Sequence, residues 1–346
     1  YGVVSGWVFG NDGYMGTAIT KRGNKKLTWE TTSEFNIGLD LGFFDNRISL
    51  SMEYYNRIIS DLLVSNKSLP AYNEINTIAA NIGKTQGRGF ELTLSTVNIM
   101  NKDWTWSTDF TFYTFKDNWY ERDPNWKPAA YESKKDPIRS YYSYVSDGLL
   151  QVGEKAPAWQ PTLVPGQIKL KNLYDTGTSP NVLDQYDKVN LGSQDPKCTL
   201  GLNNTLRYKN LDFNIYFYGE IGRLRGASYY DAWIVGLGNS LTNVSQQSLH
   251  SYTNANQNTT VPNLIESAYD FGDYYHKKIN YLRCRNITLG YTIPVSKSIA
   301  NSVRISANVS NPFVFTNWNG VDPETDTGNF SYPNVTSFSF GIDISF

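Results

Sequence analysis

In nine stretches of this chain every second residue is apolar, and the connections between these alternating stretches are short and long in strict turn. Phe35, Ile37, Leu39, Leu41 and Phe43 alternate with Asn36, Gly38, Asp40 and Gly42. After a turn at Asp45-Asn46 the pattern resumes with Ile48, Leu50, Met52 and Tyr54. The same period recurs near 90–95, 104–112, 200–207, 211–218, 287–293, 303–309 and 338–346. A period of two places successive side chains on opposite faces of an extended chain. The pattern predicts nine strands of about ten residues.

Alternation alone also suits a soluble sandwich. The connections separate the two readings. Residues 44–47, 99–103, 209–210 and 294–302 are short turns, whereas 60–86, 116–197, 222–280 and 316–336 are long. All tight turns therefore lie at one end of the strands and all large loops at the other. Loops beyond ~15 residues are uncommon in compact soluble domains, and this arrangement is that of an outer-membrane barrel. No apolar run reaches the ~18 residues of a transmembrane helix, and barrel strands need none. The expected fold is all-β, an antiparallel transmembrane β-barrel with long extracellular loops.

The rhythm fixes an orientation. Phe346 falls at the periplasmic end, with Trp104 and Tyr208 near that interface and Tyr54, Phe112 and Phe217 toward the outer one. Amphipathic rings suit the headgroup layer. Asp40, Glu53, Glu91, Asp109, Asn203, Arg207, Asp212, Arg304 and Asp343 then face the lumen. By the same parity Cys198 faces lipid and Cys284 the lumen, so no disulfide is expected between them. Nine strands form an odd set that leaves two open edges, which lipid does not satisfy. Further strands are expected before Tyr1, so residues 1–346 form the C-terminal part of a barrel and 1–27 an outer loop.

The final residues, with Ser339, Gly341, Ile344 and Phe346 at the key positions, resemble the C-terminal signal read by the barrel-assembly machinery. Other segments narrow the resemblance. These are Leu27-Thr28-Trp29-Glu30, Asn81-Ile82-Gly83, Gly89-Phe90-Glu91-Leu92, Tyr281-Leu282-Arg283, Asn286 to Pro294, and Asp322-Pro323-Glu324. Together they are similar to the SusC/RagA family of TonB-dependent transporters. That resemblance implies about nine strands of a 22-stranded, plugged barrel in the outer membrane of a Gram-negative, Bacteroidetes-like cell. It also implies a plug and TonB box upstream that engage the TonB complex, and a SusD-like surface lipoprotein as lid. The cargo would be an oligosaccharide or, in some members, a peptide.

Candidate ligand contacts are the loop aromatics Trp119, Trp126, Tyr141, Tyr142, Trp159, Tyr229, Tyr230 and Trp233, whose ring faces stack on sugars or peptide side chains. The segment Pro165-Gly166-Gln167-Ile168-Lys169 aligns with a family stretch that precedes a calcium-type loop. Here that loop carries Asp175, Asp184 and Asp187, but Thr176 and Pro180 interrupt the close oxygen spacing that calcium needs. No cofactor is implied. With two His and no GxSxG, HExxH or P-loop, no catalytic constellation is written in the sequence. A net charge of −1 gives no reason to expect nucleic acid as a partner. Two rivals stay open: a passive porin or adhesin-type barrel, and a soluble all-β carbohydrate-binding protein or glycosidase.

Overall fold

The computed structural model describes residues 2–9, 12–18, 23–68, 77–174, 181–226, 246–264, 271–295, 300–320, 322–325 and 332–346, with backbone alone at 2–9, 12–18, 66–68, 77 and 247. β1, Gly2–Phe9, and β2, Asp12–Ala18, pair as a hairpin. β3, Thr31–Phe43, and β4, Ile48–Ser60, follow. β5, Leu63–Ser68, and β6, Thr77–Asn81, make a second small hairpin. β7, Lys84–Met100, and β8, Trp104–Glu121, are long. β9, Ser140–Ser143, β10, Ser146–Leu149, β11, Ile168–Leu170, and β12, Val189–Ser193, form two small sheets, β9 with β12 and β10 with β11. β13, Cys198–Tyr208, β14, Leu211–Gly226, β15, His276–Ile293, β16, Ser302–Thr316, and β17, Ser337–Ser345, complete the set.

Nine of these strands form one sheet in the order β17-β16-β15-β14-β13-β8-β7-β4-β3, with no crossover. They are the nine strands that the alternation predicts. The chain divides into two compact units. The first is Tyr1–Asn36, Tyr55–Arg88 and Asp117–Lys127; the second is Ile37–Tyr54, Gly89–Lys116 and Pro128–Phe346.

Three expectations need correction. Eight of the nine strands are longer than ten residues, reaching 18 in β8 and β15, while β17 has nine. The backbone ladder continues past the point where the outer face stops being apolar, as at Thr114 and Lys116 beyond Phe112, so the apolar pattern marks only part of each strand. Residues 1–27 are not simply a loop but contain the β1–β2 hairpin, whose glycines and short polar residues blur any period of two. The third concerns Cys284. It pairs with Phe217 on one side and Phe313 on the other, and the register shifts between Cys284 and Asn286 on both. A bulge at Arg285 thus turns Cys284 to the apolar outer face, where it is fully buried and free, as is the less buried Cys198.

The tight turns match the sequence reading. Phe44, Asp45 and Asn46 have φ of 55°, 54° and 61°, and Lys209 has φ 50°, left-handed values that compact hairpins demand. In the second unit Trp104 and Tyr208 are cross-strand partners beside these turns, with ring centroids 4.3 Å apart. Phe112 lies eight residues further, ~27 Å along the strand, and packs near Phe90. This spacing agrees with an apolar band ~25 Å tall. Polar side chains at outward parity are closed on themselves. Asn204 Oδ1 accepts from Thr108 at 2.7 Å and Trp106 Nε1 at 3.1 Å, and Asn98 donates to Thr108 at 2.7 Å. Internal bonding is what lipid exposure requires of such groups.

The inner face carries a ladder of amides and hydroxyls. Asn214 donates to Asn203 at 2.8 Å and to Thr205 at 3.0 Å, while Asn308 donates to Thr288 at 2.8 Å and also to Asn286. Nearer the turns, Arg304 on β16 reaches over β15 to Asp212 on β14, with bonds of 3.0 and 2.6 Å. Gly290 on β15 lies beneath this pair, and a Cβ there would collide with both partners. The glycine therefore admits the ion pair. Arg304→Met is expected to cost up to ~1 kcal/mol in the native sequence and almost nothing in a Gly290→Ala background. Urea unfolding in liposomes measures both, and equal costs would show that the glycine does not matter to the pair.

Candidate functional site

The segments that carry the family resemblance are far apart in sequence, yet several are bonded to one another. In the first unit, Asn81 is the centre. Its side chain accepts from Thr28 N at 2.9 Å and donates to Thr28 O and Asp61 O, both at 2.8 Å. Glu30 accepts from Leu63 N at 2.7 Å. Gly83, at φ 84°, leaves room for the Glu121 carbonyl, which a Cβ would approach to 2.8 Å. Residues 28–30 and 81–83 are thus a single knot beside the β5–β6 hairpin.

In the second unit the centre is Arg283, with a side chain only 4% exposed. Its Nη2 donates to Asp322 at 2.9 Å and its Nε to Glu324 at 2.6 Å. Arg285 donates to the other Glu324 oxygen at 2.6 Å, and Arg225 to the Glu324 carbonyl at 2.8 Å. Asp322 also accepts from Glu324 N at 2.8 Å and Asn334 N at 2.9 Å. The connection between β16 and β17 is therefore pinned to β14 and β15 through charge. Burial raises the Asp322 pKa, but the backbone donors and Arg283 outweigh it and hold the carboxyl below its ordinary value. Two bulges build this inner patch. Register shifts at Gly222 on β14 and at Arg285 on β15 bring Arg223, Arg225, Arg283 and Arg285 to one face. Glu220 and Tyr281 share it as cross-strand partners.

Above this patch the long loops have their own core of Leu149, Ile168, Leu170, Tyr252, Tyr275, Ile279 and Trp318. The Pro165–Lys169 stretch anchors it. Gly166, at φ 88°, faces the Tyr252 ring at a distance no Cβ would allow, and Gly166 N donates to Leu150 O at 2.7 Å. Lys169 pairs with Glu154 at 2.5 Å.

The candidate aromatics take varied places. In the first unit the Arg122 guanidinium lies 3.8 Å from the Trp126 ring centroid and 5.3 Å from that of Trp119. In the second, Tyr141 stacks on His276 at 4.3 Å. Tyr142 donates to Asp136 at 2.6 Å, and burial together with that carboxylate pushes its phenol pKa up. Trp159 Nε1 donates to Leu170 O at 2.7 Å. All five are half-buried, but Trp119 lies on β8 and Tyr141 and Tyr142 on β9, so only Trp126 and Trp159 sit in loops as expected. Tyr229, Tyr230 and Trp233 lie outside the described residues, as does Asp175 of the calcium candidates. Asp187 is fully buried and accepts from Leu173 N, Tyr174 N and Asp184 N, while Asp184 caps the 3-10 turn Gln185–Asp187. Both carboxylates serve the backbone. Among the described residues no group of three or more His, Cys, Asp or Glu converges as a metal site would.

Tyr281-Leu282-Arg283 and Asp322-Pro323-Glu324 are partners, which nothing in the sequence beyond their opposite charges announces. Arg283→Leu leaves the buried Asp322 without its cation and Glu324 with Arg285 alone, and the expected cost is ~3–5 kcal/mol. Because Asp322 has a lowered pKa when folded, its contribution is present above the unfolded value of ~3.9 and is lost as pH falls through the folded one. Limited proteolysis within 322–334 is therefore expected to rise for Arg283→Leu at neutral pH and for the native sequence only below about pH 4. Equal resistance in the variant would show that the pin is dispensable.

Several known proteins are similar to this chain. The family described as TonB dependent receptor-like, beta-barrel, matches residues 4–311. TonB-dependent receptor P3 of Formosa agariphila is 29% identical, over 98% of this chain and 36% of that protein. TonB-dependent receptor SusC of Bacteroides thetaiotaomicron is 28% identical, over 97% of this chain and 34% of that one. The chain thus spans about a third of the length of these curated relatives. The structure of the RagAB peptide transporter superposes with a TM-score of 0.76 at 23% identity, covering 99% of this chain and 38% of its own, a likeness of fold. These relatives are receptors and transporters rather than enzymes, and the chain belongs to the TonB-dependent receptor β-barrel family of the outer membrane.

Proposed function

We propose that residues 1–346 supply wall and outer loops to a transporter that imports an oligosaccharide across the outer membrane, energised by TonB and covered by a SusD-like lipoprotein. The carrying observation is the pinned, internally packed loop assembly over a polar inner wall: Arg283 with Asp322 and Glu324, beneath the Ile279–Trp318 core. A passive pore has no need to fix this outer connection to the wall with buried charge. The relative named SusC supports the assignment to this branch. A peptide as cargo is the second reading, favoured by the likeness to a structure titled as a peptide transporter. In either case the aromatics Trp119, Trp126, Tyr141, Tyr142, Trp159, Tyr229, Tyr230 and Trp233 are the proposed contacts, and the cell is a Bacteroidetes-like bacterium. Ser339, Gly341, Ile344 and Phe346 are the proposed assembly signal.

Uptake by cells making the full-length transporter and its lipoprotein is expected to stop when TonB is deleted. Unchanged uptake without TonB would leave the passive-pore reading standing. Changing Phe346→Ala is expected to lower the folded, heat-modifiable protein in the outer membrane several-fold, whereas undiminished assembly would remove Phe346 from the signal.

A further inference from the structure

The two bulges place more positive charge on the inner face than the pin requires. Four arginines, Arg223, Arg225, Arg283 and Arg285, face three carboxylates, Glu220, Asp322 and Glu324. Arg283 is used up by Asp322 and Glu324, and Arg225 is buried against the Glu324 carbonyl. Arg223 and Arg285 differ, since their side chains are 25% and 32% exposed.

Arg285 spends one donor on Glu324, which it shares with Arg283, and lies 5.1 Å from the centroid of the Tyr218 ring. Arg223 Nη2 lies 2.8 Å from Glu220 Oε2 but out of line for a hydrogen bond. Both that oxygen and Arg223 Nε lack a hydrogen-bond partner among the described residues. Tyr218 donates to the other Glu220 oxygen at 3.1 Å, so Tyr218 and Glu220 link the two arginines. Planar guanidinium groups with donors to spare, beside a tyrosine ring, suit an oxyanion carried on a ring-shaped unit. Bulges re-aim side chains next to functional sites at a cost to the ladder, and here two adjacent strands each carry one.

We infer that Arg223 and Arg285, with Tyr218, form an anion-recognising site on the inner wall, and that the cargo is an acidic oligosaccharide bearing carboxylate or sulfate groups. This rests on the import reading above. The site selects by charge: four arginines face three carboxylates in this patch, an excess of positive charge that favours anionic cargo over neutral or cationic cargo.

The test uses the purified full-length transporter with its lipoprotein, and calorimetry against fixed probes. These are oligogalacturonate, oligoalginate and chondroitin-sulfate oligomers, neutral malto- and xylo-oligosaccharides, and acidic and neutral hexapeptides. At least one acidic glycan is expected to bind at least tenfold more tightly than every neutral one. Arg285→Gln and Arg223→Gln are each expected to weaken it at least tenfold, with Arg285→Lys restoring part of the loss. Heat-modifiability on gels verifies that each variant is folded. Tighter binding of a neutral glycan, or binding that both Gln variants leave unchanged, overturns the inference while import stands. Preference for acidic peptides overturns the glycan assignment. Binding of no probe at all overturns the inference and counts against import itself.

Discussion

A guanidinium withdrawn from water determines how the second unit is put together. Arg283 is nearly inaccessible, and taking such a charge out of solvent costs several kcal/mol unless it is matched. Asp322 and Glu324 match it, and because they belong to the connection after β16, that connection has one place to lie. The same carboxylates gather Arg285 and the Asn334 backbone. Ile279 is two residues before Tyr281 on the same face of β15, and it enters the loop core. Strand, pin and loop core are thus successive levels of one element.

The wall was legible in the sequence because lipid on one face and water on the other enforce a period of two, and nothing else in the chain competes with it. Leu202, Phe217 and Phe110 fall on one face and Asn203, Tyr216 and Asp109 on the other, as alternation alone requires. The reading ends where lipid ends. Beyond Phe112, β8 continues through Thr114 and Lys116 without an apolar face to report it. Bulges mislead parity further: counting by twos from Thr288 puts Cys284 inside, and one extra residue at Arg285 puts it outside.

The site was less legible for a different reason. Ion pairs such as Arg283 with Asp322 join residues 39 apart in sequence, and neither partner's surroundings carry a periodic signal. Loop aromatics could be named as a class, because rings are costly to leave in water. Whether a given ring meets cargo or a neighbouring loop depends on contacts such as Trp159 to the Leu170 carbonyl, which no local pattern encodes.

The burial of Cys284 has a consequence of its own. With Phe217 and Phe313 as its cross-strand neighbours, the thiol is shut away from solvent. Water-borne oxidants and maleimides have no route to it. Of the two native cysteines, only Cys198 offers a handle, so a probe attached there would report on the long-loop end of β13 with little background from the other.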